Sequence, residues 1–383
     1  MRIGIIGLGA RIASIAKDFA AAEPSARFVA VADPTDIRMA SLTALGAEPM
    51  LYGDPATMLA EHRFDLVMIG SPNHLHLDHL RLVLQGDTPH IFCEKPVVTT
   101  RDDTIELARL IAAHDGERRV MIGLVLRYSP LYRALRQAQA EGRIGEVMSI
   151  EASEHIAPYH GSFFMRDWRR DSALSGGFML EKCCHDIDLY QGVVGARPVR
   201  VASFGGRKKY LPERRPAGDP AYLGIMAPRW NGINDAFSGD GDIIDYQTAI
   251  VDYENGATMA FHTNLNVPDE FRRFCVVGTA GMAEGDFVRN SFKLTRSDDS
   301  AVLAQTDSIG TGAQRGHYGA DAQMGADIMA HLRGEMPVLP LSIRDALEAG
   351  LTAMAMDEAR TTLQVIDMTQ TWAEFDAAMA GAT

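Results

Sequence analysis

The sequence predicts an α/β chain that opens with a doubly wound parallel sheet and continues into an α+β domain of mostly antiparallel strands. Three observations carry that prediction. The first third alternates short apolar runs with amphipathic stretches, and a glycine turn follows the first run directly. After about Arg127 the apolar runs mostly follow one another without helical crossovers. Strand–helix–strand repetition builds parallel sheets, whereas strands joined by turns pair antiparallel.

In chain order, the runs Ile3–Ile6, Phe28–Ala32, Leu66–Ile69, Ile91–Cys93 and Val120–Leu124 read as buried parallel strands, being short, rich in β-branched or aromatic residues and mostly bounded by Gly, Asp or Pro. Ile12–Ala22 and Asp102–His114 read as helices; Thr100 with Asp103 three residues on marks the start of the second. The second domain should contain strands at Val147–Ser153, Val199–Phe204, Tyr246–Tyr253, Ala257–Thr263, Arg272–Val277 and Phe292–Thr295. Asn255-Gly256 between two of them is a strong hairpin signal. Gly205–Asp245 is Pro/Gly-rich, lacks periodicity and is expected as a long loop. Ser342-x-x-Asp345 resembles a capping box, followed at helical spacing by Ala346, Leu347, Gly350, Leu351 and Met354. The expected domains are 1–125, 126–340 and a helical segment 341–383 that packs back near the first.

Of the 383 residues, 46% are hydrophobic and 23% charged, enough apolar material for folded domains. The formal net charge of −13 argues against nucleic acid or an anionic membrane as the main partner. Four cysteines without a CxxC pair indicate reduced thiols rather than a disulfide scaffold. No apolar run reaches the ~18 residues of a membrane span. Met1-Arg2-Ile3-Gly4 enters a strand at once, leaving no room for a signal peptide, so a cytoplasmic location is expected.

The turn after the first strand is Gly7-Leu8-Gly9-Ala10-Arg11-Ile12, a GxGxxG dinucleotide fingerprint with Ile12 in place of the third glycine. The first glycine makes the tight turn and the second lets backbone approach a pyrophosphate at a helix N-terminus. Asp33 ends the second strand, where a carboxylate accepts from ribose hydroxyls and repels a 2′-phosphate, favouring NAD over NADP. Arg38, one turn on, works against that preference.

Four further segments complete a pattern: Ser71-Pro72-Asn73-His74-Leu75-His76, Glu94-Lys95-Pro96, Gly176-Gly177 through His185-Asp186-Ile187-Asp188, and His317-Tyr318-Gly319-Ala320-Asp321. With the glycine turn they resemble, in order and over nearly the whole chain, the glucose–fructose oxidoreductase/inositol dehydrogenase family. The resemblance implies an N-terminal Rossmann domain and a C-terminal domain with a large, open, mostly antiparallel sheet. It also implies sugar, polyol or inositol substrates and a homodimer or homotetramer formed through that sheet. The cofactor residues would be Gly7, Gly9, Ala10, Arg11, Ile12, Asp33, Ser71, Pro72, Asn73, His76, Glu94, Lys95 and Arg127.

Oxidation of a secondary alcohol needs hydride and proton removal at one carbon, with a cation near the developing alkoxide. Lys95, at the end of a parallel strand, matches the family's lysine at the reacting hydroxyl. His185 is the candidate general base, titrating in a suitable range. Glu181, four residues earlier, is placed by that spacing on the same face of a helix, and could orient the imidazole or contact a hydroxyl. Glu181 stands where the family more often has Asp, and Lys182 replaces a usually small or apolar residue, with an ion pair its one evident use. Tyr159, Arg166, Trp168 and His317, with Lys95 and His185, are candidates for substrate contact; His160 and His262 also suit a polyhydroxylated ring. No metal is expected: Glu181, His185 and Asp188, or His74, His76 and His79, lack a telling ligand spacing. Two other activities fit the same motifs. One is a redox-neutral glycosidase that oxidises transiently and eliminates, using Tyr159, His160 or Lys182 as an extra base. The other is a non-catalytic dinucleotide-sensing protein.

Overall fold

The computed structural model describes residues 1–218, 220–225, 234–309 and 316–381. The chain divides into two compact units: Met1–Ser129 with Arg315–Leu347 and Thr371–Thr383, and Pro130–Gln314 with Glu348–Gln370. Residues 316–340, expected with the second domain, therefore cluster with the first, and the C-terminal helical segment is shared between the units.

The first unit holds a six-stranded parallel sheet of β1 (Arg2–Ile6), β2 (Arg27–Ala32), β3 (Met50–Tyr52), β4 (Leu66–Ile69), β5 (His90–Cys93) and β6 (Val120–Ile122). Its order is β3-β2-β1-β4-β5-β6, so the strand order reverses between β1 and β4, where such sheets bind ligands. Ile3, Ile5, Val67, Met68, Ile91 and Phe92 are fully buried, as the apolar runs require. Helix Ala10–Ala22 packs through Ile12, Ile15, Ala16 and Phe19, the last edge-on to Phe92 at 5.3 Å. Thr100 caps helix Arg101–Ala113 by accepting from the Asp103 N–H at 3.1 Å. The last expected strand is shorter than read: Leu124 lies beyond β6, in the lead to a turn of 3-10 helix at Val125–Tyr128.

The second unit holds a nine-stranded sheet built from β7 (Val147–His155), β8 (Pro198–Gly206), β9 (Tyr246–Tyr253), β10 (Thr258–Asn264), β11 (Phe271–Gly278), β12 (Gly281–Asp286), β13 (Ser291–Arg296), β14 (Val302–Thr306) and β15 (Ile366–Asp367). The order is β14-β13-β12-β11-β7-β10-β9-β8-β15, and only β7 and β10 pair in parallel. Asn255-Gly256 turns β9 into β10, with Gly256 at φ 83° and the Asn255 carboxamide oxygen accepting from the Ala257 N–H at 3.2 Å. Within the expected long loop, the Asp245 carboxylate gathers the N–H groups of Lys208, Lys209 and Tyr210 at 2.6–3.1 Å. Residues 219 and 226–233 of that segment lie outside the described residues. Ser342 and Asp345 form the reciprocal cap of helix Ile343–Thr362: each side chain accepts from the other's N–H, at 3.1 and 2.9 Å. Among the described residues no helix is long and apolar enough to cross a membrane.

Candidate functional site

In the first unit, β1 runs into Gly7 at φ 79°, where a β-carbon would stand 2.4 Å from the Ser71 nitrogen. Only glycine fits there. Gly9 is the N-cap of helix Ala10–Ala22, so the turn delivers the helix's first free N–H groups to the carboxyl end of the sheet. The missing third glycine is compensated from another strand end. Ile12 is fully buried, and a β-carbon on Gly70, just after β4, would lie 1.9 Å from Ile12 Cγ1. The glycine that permits close helix–sheet packing has moved from the helix to the loop it faces. Asp33 accepts from the Leu8 N–H at 2.8 Å through one carboxylate oxygen, and from the Thr35 N–H and hydroxyl at 2.8 and 2.9 Å through the other. The oxygen that accepts from Leu8 keeps a lone pair that a ribose hydroxyl could use.

The loop after β4 is stitched by histidines. His76 is buried with its Nδ1 2.8 Å from the Pro96 carbonyl and its Nε2 2.9 Å from that of Ser71. The Ser71 hydroxyl meets His79 Nδ1 at 2.8 Å, and burial lowers the His79 pKa to about 4. Asn73 is buried beside Pro72 at the start of the 3-10 turn. His76 thus ties the Ser71 loop to the turn after β5 that carries Glu94, Lys95 and Pro96.

Lys95 is half-buried just past the end of β5, its N–H donating to Glu94 Oε2 at 3.1 Å. Glu94 is buried, and burial raises its pKa against the opposing pull of Arg11 and Lys95. Arg11 donates through Nε to Glu94 at 3.1 Å and through both amino ends to Asp321 at 2.8 Å. His317 Nδ1 lies 3.1 Å from both Asp321 oxygens. Burial alone would raise the Asp321 pKa, but hydrogen bonds from His317 and Arg11 hold it well below the usual carboxylate range. Arg11 and His317, expected as ligand contacts, therefore sit in one Glu94–Arg11–Asp321–His317 chain. Arg127 is buried and donates to the Pro340 carbonyl at 3.0 Å, with the capping Asp345 3.5 Å away, so it braces the start of the C-terminal helix.

In the second unit the expected shared helix face for Glu181 and His185 does not form as read. Phe178–Glu181 and Cys184–Val194 are separate helices, broken at Lys182 and Cys183. Consecutive left-handed glycines, Gly176 and Gly177 at φ 84° and 85°, lead into the first. Glu181 and His185 are both buried. Lys182 finds its ion pair in Glu154 on β7 at 3.0 Å. Glu154 also meets Arg272 at 2.6 Å, and Arg272 takes both oxygens of Asp186 at 2.7 and 2.6 Å. Burial pushes the Asp186 pKa up to about 6, with Arg272 pulling the other way. Glu181 lies 3.6 Å from Arg169 Nε, and that guanidinium sits over the rings of Phe163 and Trp168, each 4.3 Å from the centroid.

Other expected contacts turn out to be engaged in the fold. Arg166 is buried and donates to the carbonyls of Ser162 and Leu223 at 2.9 and 2.8 Å. The Tyr159 hydroxyl donates to Glu270 at 3.2 Å, and burial with that carboxylate raises its pKa to about 12. His262 is exposed on the sheet face opposite Phe261 and Thr263. With Tyr159 on a carboxylate and Lys182 ion-paired, two of the three extra bases suited to an elimination are committed elsewhere. Sequence reasoning missed Glu154, Arg272 and Arg169. The first two carried a signal, since each is charged at a strand position where alternation calls for an apolar side chain. All four cysteines are free thiols, Cys93, Cys183 and Cys184 buried.

Comparison with known proteins finds matches over both units. Residues 1–124 match the model described as "Oxidoreductase family, NAD-binding Rossmann fold", and residues 132–284 match the "GFO/IDH/MocA C-terminal domain". The oxidoreductase YteT of Bacillus subtilis (strain 168) is 24% identical over 79% of this chain and 79% of its own length. Inositol 2-dehydrogenase 1 of Saccharopolyspora erythraea is 29% identical over 58% of this chain and 63% of its own. Among solved structures, levoglucosan dehydrogenase in complex with NADH and levoglucosan superposes with a TM-score of 0.76 at 17% identity, covering 97% of this chain and 100% of that one. A glycine turn at the switch point of a 3-2-1-4-5-6 sheet, the Glu-Lys-Pro turn and the Gly-Gly to His-Asp stretch thus fall within matched segments, and the chain belongs to the GFO/IDH/MocA family of NAD-binding oxidoreductases.

Proposed function

We propose that the protein is an NAD-dependent dehydrogenase that moves a hydride between the cofactor and a secondary alcohol of a sugar, inositol or related polyol. The observation that carries this reading is the glycine turn, Asp33 and Lys95 at the carboxyl ends of the parallel strands of one sheet, where a β-carbon on Gly7 would fill the space the backbone needs. The names of the relatives support the substrate class, since inositol and levoglucosan are both polyhydroxylated rings.

The N–H groups at Gly9 and Ala10 would face the pyrophosphate, Asp33 the adenosine ribose, and the Ser71–Asn73 loop the remainder of the dinucleotide. Asp33 would repel a 2′-phosphate, which favours NAD over NADP. Bound, the nicotinamide supplies the hydride acceptor. Lys95 donates to the reacting hydroxyl and stabilises the alkoxide as it forms. His185 takes the hydroxyl proton, and Glu181 fixes a neighbouring hydroxyl or the imidazole. Copies of the chain pair through the nine-stranded sheet, and the free thiols suit a reducing cytoplasm.

The test follows absorbance at 340 nm with NAD against sugars, inositols and aryl glycosides, with Lys95→Ala alongside. Accumulating NADH that falls about 10²–10⁴-fold in the variant is expected. Aglycone release without net NADH would overturn the dehydrogenase reading in favour of transient oxidation and elimination.

A further inference from the structure

Four strands of the second unit carry one buried polar row. Gln247 on β9, Thr263 on β10, Glu154 on β7 and Arg272 on β11 are direct cross-strand partners, each no more than 2% exposed. The next rows on the same face are apolar: Ala249, Phe261, Ala152 and Phe274, then Val251, Met259, Ile150 and Val276. A sheet does not bury charge without a use for it, since unpaired charge there is strongly disfavoured. The use lies in the pieces of chain that reach the row.

Lys182 and Asp186 are the charged side chains that descend to its Glu154–Arg272 pair, Lys182 onto Glu154 and Asp186 onto Arg272, while Cys183 meets Thr263 and Asp357 meets Gln247. They flank the helix break. Lys182 directly follows Glu181, and Asp186 directly follows His185. Backbone hydrogen bonds do not span the break as one helix would: the Lys182 N–H closes the first helix on Phe178, and the second starts with Asp186 and Ile187 on Cys183. The residues next to Glu181 and His185 are instead anchored through side chains, and both of these anchors end on the same Glu154–Arg272 pair.

We propose that the Lys182–Glu154–Arg272–Asp186 chain is the positioning device of the site, with Lys182 and Glu154 as positioning residues that set Glu181 and His185 in one fixed relation. The inference rests on the dehydrogenase reading for the word "site", but its geometry does not. Two cations face two carboxylates. Removing Lys182 leaves one surplus negative charge and removing Glu154 one surplus positive charge, whereas removing both restores balance with Arg272 and Asp186 still paired.

The experiment compares Lys182→Met, Lys182→Arg, Glu154→Gln and the double variant Lys182→Met/Glu154→Gln. The first readout needs no substrate. In protein labelled with ¹⁵N-histidine, the His185 ring signals are assigned by their loss in His185→Asn. They should move in Lys182→Met and Glu154→Gln, hold in Lys182→Arg and return toward the wild-type position in the double variant. The second readout is turnover of whichever alcohol the NADH assay identifies. There kcat should fall about 10- to 100-fold in each single variant and recover in the double, while NAD affinity stays within about twofold. Unmoved His185 signals in both single variants, or a thermal shift with unchanged kcat, would overturn the proposal. If a single variant does not fold, the double variant decides alone: wild-type His185 signals support the chain and displaced ones refute it. Signals that behave as expected in a protein that oxidises no alcohol would sink the dehydrogenase reading and leave the anchoring intact.

Discussion

Ile12 shows how one side chain can change a motif without changing what the motif does. In the glycine fingerprint the third glycine lets the helix approach the sheet. Here the helix carries a branched side chain, and Gly70 on the facing loop yields the space instead, its absent β-carbon replaced by Ile12 Cγ1. The pair is one packing unit, so its members should not behave additively. Gly70→Ala forces a methyl into Ile12 and should cost about 3 kcal/mol or more, beyond the common range for overpacking. Ile12→Ala should cost about 2–4 kcal/mol through the cavity it leaves. The double variant removes Cγ1, the closest colliding atom, and leaves only the 2.8 Å approach to the Cβ at position 12, so it should lose at least about 1 kcal/mol less than the sum. Urea unfolding of the four proteins measures this, and strict additivity would show that the two residues do not share the contact. None of this was legible in the sequence, because Ile12 and Gly70 meet only once β1 and β4 pair.

Among elements, the loop after β4 shows electrostatics set by packing. His79 meets the Ser71 hydroxyl and is held neutral, first by burial and second by the nearby His76. Its folded pKa of about 4 lies below the ordinary value near 6.5, so the unfolded chain binds the proton more readily between those limits. The associated stability is fully present above pH 6.5 and is lost as pH falls toward 4, at up to about 1.4 kcal/mol per pH unit. Unfolding free energies measured from pH 7 to 4 should therefore slope downward, and His79→Gln should flatten that slope. An unchanged slope would mean that other groups set the acid limb. Elements also mark where sequence reading succeeds. Long apolar or alternating strands, the Asn255-Gly256 hairpin and the Ser342–Asp345 cap are decided by neighbours in sequence, and each stands where the pattern put it. The strands that escaped notice are β3 and β15, only three and two residues long, β12, which contains two glycines, and β14, with no buried residue at the sheet edge. The break at Lys182–Cys183 escaped because Glu181 and His185 have good helical spacing, while the anchors that end the helix lie on β7 and β11, far along the chain.

For the molecule as a whole, one large surface has a composition that demands an explanation. The inward rows of the nine-stranded sheet are buried, and the outward positions alternate with them. An antiparallel face meant for water is usually polar and charged. This one presents Phe204 at 68% and Ile250 at 57% exposure, with Val302 at 51% on the edge strand β14. Ala202, Ile250 and Ala260 form one cross-strand row, and Val277 and Met282 pair in another. Charge is present but largely paired within the face, as between Arg200 and Asp252 or Lys293 and Glu284. A face that is partly apolar and internally neutralised can meet a copy of itself about a twofold axis without burying unpaired charge. Self-association through it is therefore expected, and sedimentation or light scattering of the purified chain should report a dimer or tetramer at micromolar concentration. Phe204→Glu with Ile250→Glu places two like charges on that face of each copy. The variant should run as a smaller species while its NAD affinity stays within about twofold, because the glycine turn belongs to the other unit. A wild-type monomer, or a double variant of unchanged mass, would show that this face serves no pairing and that its apolar residues require another cover.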